Sequence, residues 1–294
     1  MTLYYADCYA IPLPPGHKFP MEKYRLVRDR LAACGGFQFS EAPFADPAVI
    51  ALAHDPGYVS AFLDGTLEPA IVRRIGFPWS EGLVRRTLAS VGGTLMAAED
   101  ALRRGFGGNL AGGTHHALYD TGAGFCVFND IAVAIRRLLH EGRVERAAVV
   151  DLDVHQGDGT AALFASDRRV LTLSIHGRNN FPLRKQRSTI DIELDDGTED
   201  AAYLAALAGA LPRVFAFEPD IVFFQTGVDA LATDTLGRLA LTHDGLRARD
   251  RMVIGHCRER GIPLAATLGG GYSKPIDPTV EAHANTFRVA ARIG

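Results

Sequence analysis

A parallel β-sheet flanked by helices, an α/β fold, is predicted for this chain by three observations. From about residue 108 onward, short apolar runs alternate with stretches of helical periodicity, the pattern that strand–helix alternation leaves in a sequence. The apolar runs are continuous rather than alternating, as expected of strands buried on both faces. Four of the five candidate strands lead directly into segments rich in Gly, His or Asp, and open parallel sheets build their sites outside the carboxyl ends of strands.

Taken in order, the elements begin with a helix in which Tyr24, Val27 and Leu31 recur at helical spacing after Pro20 and stop at Gly35-Gly36, with Pro and Gly in their usual terminal places. A longer helix is predicted over 81–104, its periodicity carried by Leu83, Thr87, Leu88, Val91, Leu95, Ala98 and Leu102. Gly92-Gly93 in its middle costs roughly 1 kcal/mol per residue against Ala, which predicts close backbone packing there. The first strand is placed at 109–111, followed by a helix over 129–140 closed by Gly142. Further strands are predicted at 147–153, 170–175, 221–226 and 264–268, with a helix over 242–260 closed by Gly261 before the last. The stretch 177–198 is charged and poor in periodicity and reads as a long surface excursion near the strand ends. No linker composition or internal repeat divides the chain, so residues 1–294 are expected to form a single domain.

Composition limits the function classes. The chain is 47% hydrophobic and 22% charged, that of an ordinary soluble domain able to bury one large core. A formal charge of -3 and a pI near 6.4 supply no global basic field, so direct nucleic-acid binding is not expected. Cys8, Cys34, Cys126 and Cys257 are too widely spaced for a Cys-x-x-Cys motif and too few for a disulfide scaffold. The first residues lack a basic flank ahead of an apolar stretch, and no window approaches a membrane span in apolar length. A cytoplasmic protein with reduced thiols and no membrane association is the expectation.

The densest chemistry lies in 147–161, where Asp151, Asp153 and His155 alternate at the end of an apolar run. Residues two apart share a face of an extended strand. Buried unpaired carboxylates there would be costly unless a cation or hydrogen bonds compensated them. A bound divalent metal is the simplest compensation, and two carboxylates with one imidazole suit a catalytic zinc that keeps an open position.

Four further motifs accompany that stretch: Gly112-Gly-Thr-His115-His116, Gly124-Phe125-Cys126, Gln225-Thr-Gly-Val-Asp229 and Leu268-Gly-Gly-Gly-Tyr272. With them the chain resembles the histone deacetylase superfamily, metal-dependent amidohydrolases of arginase-like fold, over roughly residues 17–275. Within that superfamily it is most similar to class IV deacetylases of bacterial type, through Phe125-Cys126, Asn129-Asp130, His155-Gln156-Gly157, Gly197-Thr-Glu-Asp200 and Gly271-Tyr-Ser-Lys274. The resemblance implies Asp153, His155 and Asp229 as ligands of zinc, with ferrous iron as the alternative metal, and a potassium ion near Asp151 and Ser174. It also implies that Asp151 pairs with His115, that Asp158 pairs with His116, and that Tyr272 stands beside the scissile carbonyl.

The chemistry accounts for these residue types. Two anionic ligands cancel most of a divalent ion's charge, so its water is polarised less than on a three-histidine site, where the pKa falls to about 7. A base is then needed, and His116 fits, with His115 orienting or assisting electrostatically. The Asp–His pairs fix tautomer and raise basicity. Tyr272 would donate to the developing oxyanion, an interaction worth about 2.7 to 4 kcal/mol.

By the same resemblance the substrate enters a slim tube with Phe125 as one wall and Phe181 as the second, Gly124 and Gly270 beside them, and Arg25 lining a channel for acetate release. After Pro182, Leu183-Arg-Lys-Gln-Arg-Ser188 departs from the common Pro-Gly-Thr-Gly continuation. Arg184, Lys185 and Arg187 read as a solvated loop face, and His17, His54, His140, His176, His243, His256 and His283 as structural or surface residues.

The expected activity is removal of an acetyl or longer acyl group from lysine side chains of a peptide or protein by metal-activated water. The alternatives are a deacetylase of acetylpolyamines or other small N-acyl amines and, more remotely, a non-catalytic module that binds acyl-lysine. An arginase-like ureohydrolase wants a richer set of bridging aspartates than the chain offers. Oligomeric state is left open.

Overall fold

Strand–helix alternation extends further toward the N-terminus than the apolar runs indicate. The structure, a computed structural model, describes residues 1–292. Its strands in chain order are β1 (Thr2–Tyr5), β2 (Gln38–Glu41), β3 (Phe106–Asn109), β4 (Ala147–Asp151), β5 (Val170–Gly177), β6 (Ile190–Leu194), β7 (Ile221–Gln225) and β8 (Leu264–Thr267). The helices are α1 (Lys23–Ala32), α2 (Pro47–Ile50), α3 (Pro56–Leu63), α4 (Pro69–Ile75), α5 (Glu81–Arg104), α6 (Asp130–His140), α7 (Asp158–Leu163), α8 (Asp200–Ala216), α9 (His243–Glu259) and α10 (Asp277–Arg292).

All eight strands join one parallel sheet in the order β2-β1-β3-β8-β7-β4-β5-β6. The last two strands of the chain therefore sit at its centre. Every residue of β4, β5, β7 and β8 is buried, which is why these four read as predominantly apolar runs without a solvent-facing alternation. Helix α5 lies against β1, β3, β7 and β8 and packs on α6, while α8, α9, α10 and α1 pack one on the next.

Local chemistry sets the helix ends. The Ser80 hydroxyl accepts from Leu83 N to start α5, and Gly105 closes it in the left-handed conformation. The close packing predicted at the middle of α5 is present. A side chain on Gly92 would run into the Pro43 carbonyl, and one on Gly93 into the Asn109 side chain.

Three expectations need correction. The first predicted strand is displaced: the ladder runs from Phe106 to Asn109, and Leu110-Ala111 lie beyond it. The ladder of β4 stops at Asp151, so Asp153 and His155 leave from the loop after the strand and not from one strand face. The predicted excursion 177–198 contains β6, an edge strand paired with β5 from Leu173↔Ile190 to Gly177↔Leu194. Its period-2 pattern, with Ile190, Ile192 and Leu194 turned inward, is short and diluted by charge.

Candidate active site

Four adjacent central strands, β3, β8, β7 and β4, deliver the tandem histidines, the candidate metal ligands and Tyr272 from their carboxyl ends, and the loop after β5 adds Phe181. After β3 the chain turns through Gly112-Gly113-Thr114. The buried Asp130 carboxylate, at the start of α6, accepts from Gly113 N (3.1 Å), Thr114 N (2.8 Å) and the hydroxyls of Thr94 and Thr114. That anchor presents His115 and His116 side by side. His115 Nδ1 lies 2.7 Å from Asp151 Oδ2, and His116 Nδ1 lies 2.6 Å from Asp158 Oδ1, so both pairings implied by the resemblance are in place.

The carboxylates make the two imidazoles unlike. Burial opposes a charge on His115, but the negative charges of Asp151 and Asp153 outweigh it and lift the ring to about 9. Burial and the neighbouring positive His115 hold His116 down at about 4, with Asp158 only partly opposing. The surroundings thus favour the protonated form of His115 and the neutral form of His116.

Asp153, His155 and Asp229 offer one ligand atom each within 4.8 Å of one another. Asp153 Oδ2 is taken by Gln225 Nε2 (2.8 Å) and Gly270 N (2.8 Å), and Asp229 Oδ1 by Val154 N (2.8 Å). The other oxygens, Asp153 Oδ1 and Asp229 Oδ2, each stand 3.0 Å from His155 Nδ1. Burial and the charge of Asp153 raise Asp229 to about 7, while the two carboxylates overcome burial to lift His155 to about 10. A proton on His155 thus supplies the positive charge that the two aspartates demand, at the place where a divalent cation fits. The donor set, two oxygens and one nitrogen converging from fixed carboxylates, suits zinc. Gly270 packs so tightly beneath Asp229 that a side chain there would collide with its carboxylate.

Tyr272 follows the glycine turn after β8. Its N–H donates to Asp234 Oδ2 (2.6 Å), and its carbonyl accepts from Thr235 Oγ1 (2.7 Å). Burial and the charges of Asp229 and Asp153 push its phenol well above the ordinary value, which keeps it a hydrogen-bond donor. Phe125, at φ 66°, packs with His17, Phe19 and Phe77 and faces Tyr272 at 6.2 Å between ring centres. Phe181 is 44% exposed and stands edge-on to His116 at 4.9 Å. Gly124 sits where His116 and Phe181 meet. A cavity of about 70 Å³ is lined by Phe125, His116 and Asp153 and by Leu83, Thr87 and Ser90 on α5.

Arg25 does not line this cavity. It is an exposed residue paired with Asp29 at 2.7 Å. The cation lining it is Arg86, whose guanidinium stacks on Tyr24 at 4.4 Å, and the buried Lys23 donates Nζ to Gly269 O (2.9 Å) and lies 5.2 Å from the Tyr272 ring. Ser174 neighbours Asp151 across the β4–β5 ladder, and its hydroxyl pairs with His176 Nδ1 at 2.9 Å. Two supporting residues, Asp234 and Arg249, escaped the sequence reading, and Asp130 entered it only as part of a motif, without the anchoring role it has here. The fully buried Arg249 guanidinium pairs with Asp250 (2.8 Å) and donates to Gly227 O (2.6 Å), Thr226 O (3.3 Å) and Leu152 O (3.4 Å). It thereby ties the two ligand-bearing segments together from beneath.

Comparison with known proteins gives a consistent assignment. The family model described as Histone deacetylase domain matches residues 17–287. An uncharacterized protein of Picosynechococcus is 45% identical over 98% of this chain and 97% of its own length. A histone deacetylase-like amidohydrolase of Pseudomonas aeruginosa is 31% identical over 91% of this chain and 75% of its own. Among solved structures, an acetylpolyamine aminohydrolase from Burkholderia pseudomallei superposes with a TM-score of 0.79 over 99% of this chain and 98% of that one at 21% identity, a likeness of fold.

Proposed function

The chain belongs to the histone deacetylase family and is a hydrolase of amide bonds, and on that premise we propose that it removes acyl groups from lysine side chains with a zinc ion held by Asp153, His155 and Asp229. The observation that carries the reading is the convergence of three ligand atoms beside two Asp–His pairs of opposite proton affinity. Bound there, the ion would polarise the amide carbonyl and acidify water. His116, neutral at working pH, takes a proton from the attacking water on the ring nitrogen not held by Asp158, and returns it to the leaving amine nitrogen. His115 keeps its proton and stabilises the negative charge that develops. The Tyr272 phenol donates to the oxyanion. The products are a carboxylate and a free amine.

Phe125, on the cavity lining, and Phe181, edge-on to His116, would flank a methylene stem, with Gly124 giving the stem room and Gly270 seating the metal aspartates. A potassium ion beside Asp151 and Ser174 completes the reading. The cavity beside the ligand cluster, about 70 Å³, suits an acyl group of acetyl size, and the peptide series reads whether longer ones enter. Among the described residues no helix is long and apolar enough to cross a membrane.

The test is hydrolysis of a lysine peptide series bearing acetyl, butyryl, octanoyl and myristoyl groups, with acetylputrescine in parallel and metal content quantified on the same zinc-loaded protein. Turnover peaking at one peptide chain length is expected. Turnover of acetylputrescine alone would move the substrate to small acylated amines, and none on any member would refute the reading.

A further inference from the structure

The basic run after Phe181 is not simply a solvated face. Lys185 is half-buried and turned back on its own loop, where Nζ donates to the carbonyls of Arg178 (3.1 Å), Asn180 (2.7 Å) and Pro182 (2.6 Å). An ammonium has three donors and no acceptor, and here all three are spent on one turn. Resting on the deacylase reading above, we propose that Lys185 is a positioning residue that fixes the Phe181 ring against His116, on the cavity lining, and so prepares it to flank the substrate's methylene stem.

Two anchors bracket the turn. On one side the Asn180 amide donates to Leu236 O (2.8 Å) and accepts from Arg238 N (3.2 Å), in the loop that descends from Asp229. On the other, Gln156, next to His155, pairs reciprocally with the Gln186 backbone at 2.8 Å in both directions. Between them lies the span that carries Phe181 and the 89% exposed Leu183. Lys185 is the internal tie of that span. It holds the carbonyls on either side of Phe181, while the ring touches His116 on one edge and approaches Gly124, where an added Cβ would come 3.3 Å from it.

A ring fixed in this way keeps its place beside His116 and Gly124 before substrate arrives, and a preformed surface spares the ordering cost of binding. The tetrahedral ammonium reaches three carbonyls in three directions, which a planar guanidinium cannot. Arginine is therefore only a partial substitute.

The experiment compares wild-type protein, Lys185→Met and Lys185→Arg, all zinc-loaded and full length, for calorimetric binding of two hydroxamates: acetohydroxamate, which has no stem, and one carrying a linear methylene stem with an aromatic cap. Lys185→Met should weaken the stem-bearing hydroxamate by about tenfold and acetohydroxamate by less than about twofold, with Lys185→Arg between them. Zinc stoichiometry should be unchanged in all three. On acyl-lysine peptide, KM should rise with kcat nearly constant. Equal affinities in Lys185→Met and wild type, or equal losses for both hydroxamates, would overturn the role of Lys185 and leave the deacylase reading standing. A wild-type protein with one zinc per chain that binds neither hydroxamate would refute that reading and this role with it.

Discussion

His115 and His116 hold their rings 4.1 Å apart, yet the protein drives their proton affinities in opposite directions, to about 9 and about 4. Each has its own aspartate. The difference arises because His115 also faces Asp153, at 3.9 Å, while His116 faces the charged His115. Proximity thus divides the labour between two chemically identical side chains.

If the reaction needs neutral His116 and protonated His115, kcat/KM rises as pH climbs through about 4 and falls as it passes about 9. Asp151→Asn removes the charge that lifts His115, so the alkaline limb should move toward neutrality. A pH–rate profile of that variant checks the assignment, and an unmoved alkaline limb would show that His115 does not govern it.

Tyr272→Phe removes a hydroxyl without touching the backbone contacts to Asp234 and Thr235 that place the turn. Metal content should stay at the wild-type value while kcat drops roughly a hundred- to a thousandfold. Wild-type turnover would remove the phenol from the mechanism.

Asp229→Ala deletes one of the three converging ligand atoms and the acceptor for Val154 N. Stoichiometric metal should be lost on dialysis, as metal analysis would show. A variant that retained one ion per chain would refute the ligand set.

His54 and His176 are buried and neutral, burial holding each at about 4. His54 is committed to that state because Nδ1 faces the Leu118 carbonyl while Nε2 accepts from Asn129 N. Below about 6.5 the unfolded chain takes up protons that the folded chain refuses, so stability falls as pH drops from about 6.5 to about 4, by on the order of 3 kcal/mol for each histidine. Urea unfolding across that range should show the decline, and His54→Gln should lessen its slope. An unchanged slope would mean that His54 is not one of the groups responsible.

Much of the site was legible because its residues stand in short motifs at strand ends, where glycine, aspartate and histidine interrupt apolar runs. What escaped has identifiable causes. β3 was displaced because Gly107 and Gly108 carry no side chains to read; a side chain on Gly107 would collide with the Ala97 carbonyl of α5. Arg25 and Lys23 are two positions apart on α1, and residues so spaced face different sides of a helix. The lysine, not the arginine, turns inward. Asp130, Asp234 and Arg249 act through backbone groups far away in sequence, and no local pattern announces such contacts. Lys185 looked solvated because a charge run carries no sign of direction.

The strand order has a consequence for biogenesis. Because β7 and β8 wedge between β3 and β4, the strands that precede them in the chain can pair in the native order only as two slabs, β2-β1-β3 and β4-β5-β6, with no common edge. His115-His116 ride on one slab and Asp153-His155 on the other. They meet only when residues 221–267 slot in as a keystone, a late, long-range closure of the kind that slows folding. A chain lacking that segment therefore carries the tandem histidines and two of the three candidate ligand residues on separate slabs, and the site is complete only once residues 221–267 are in place.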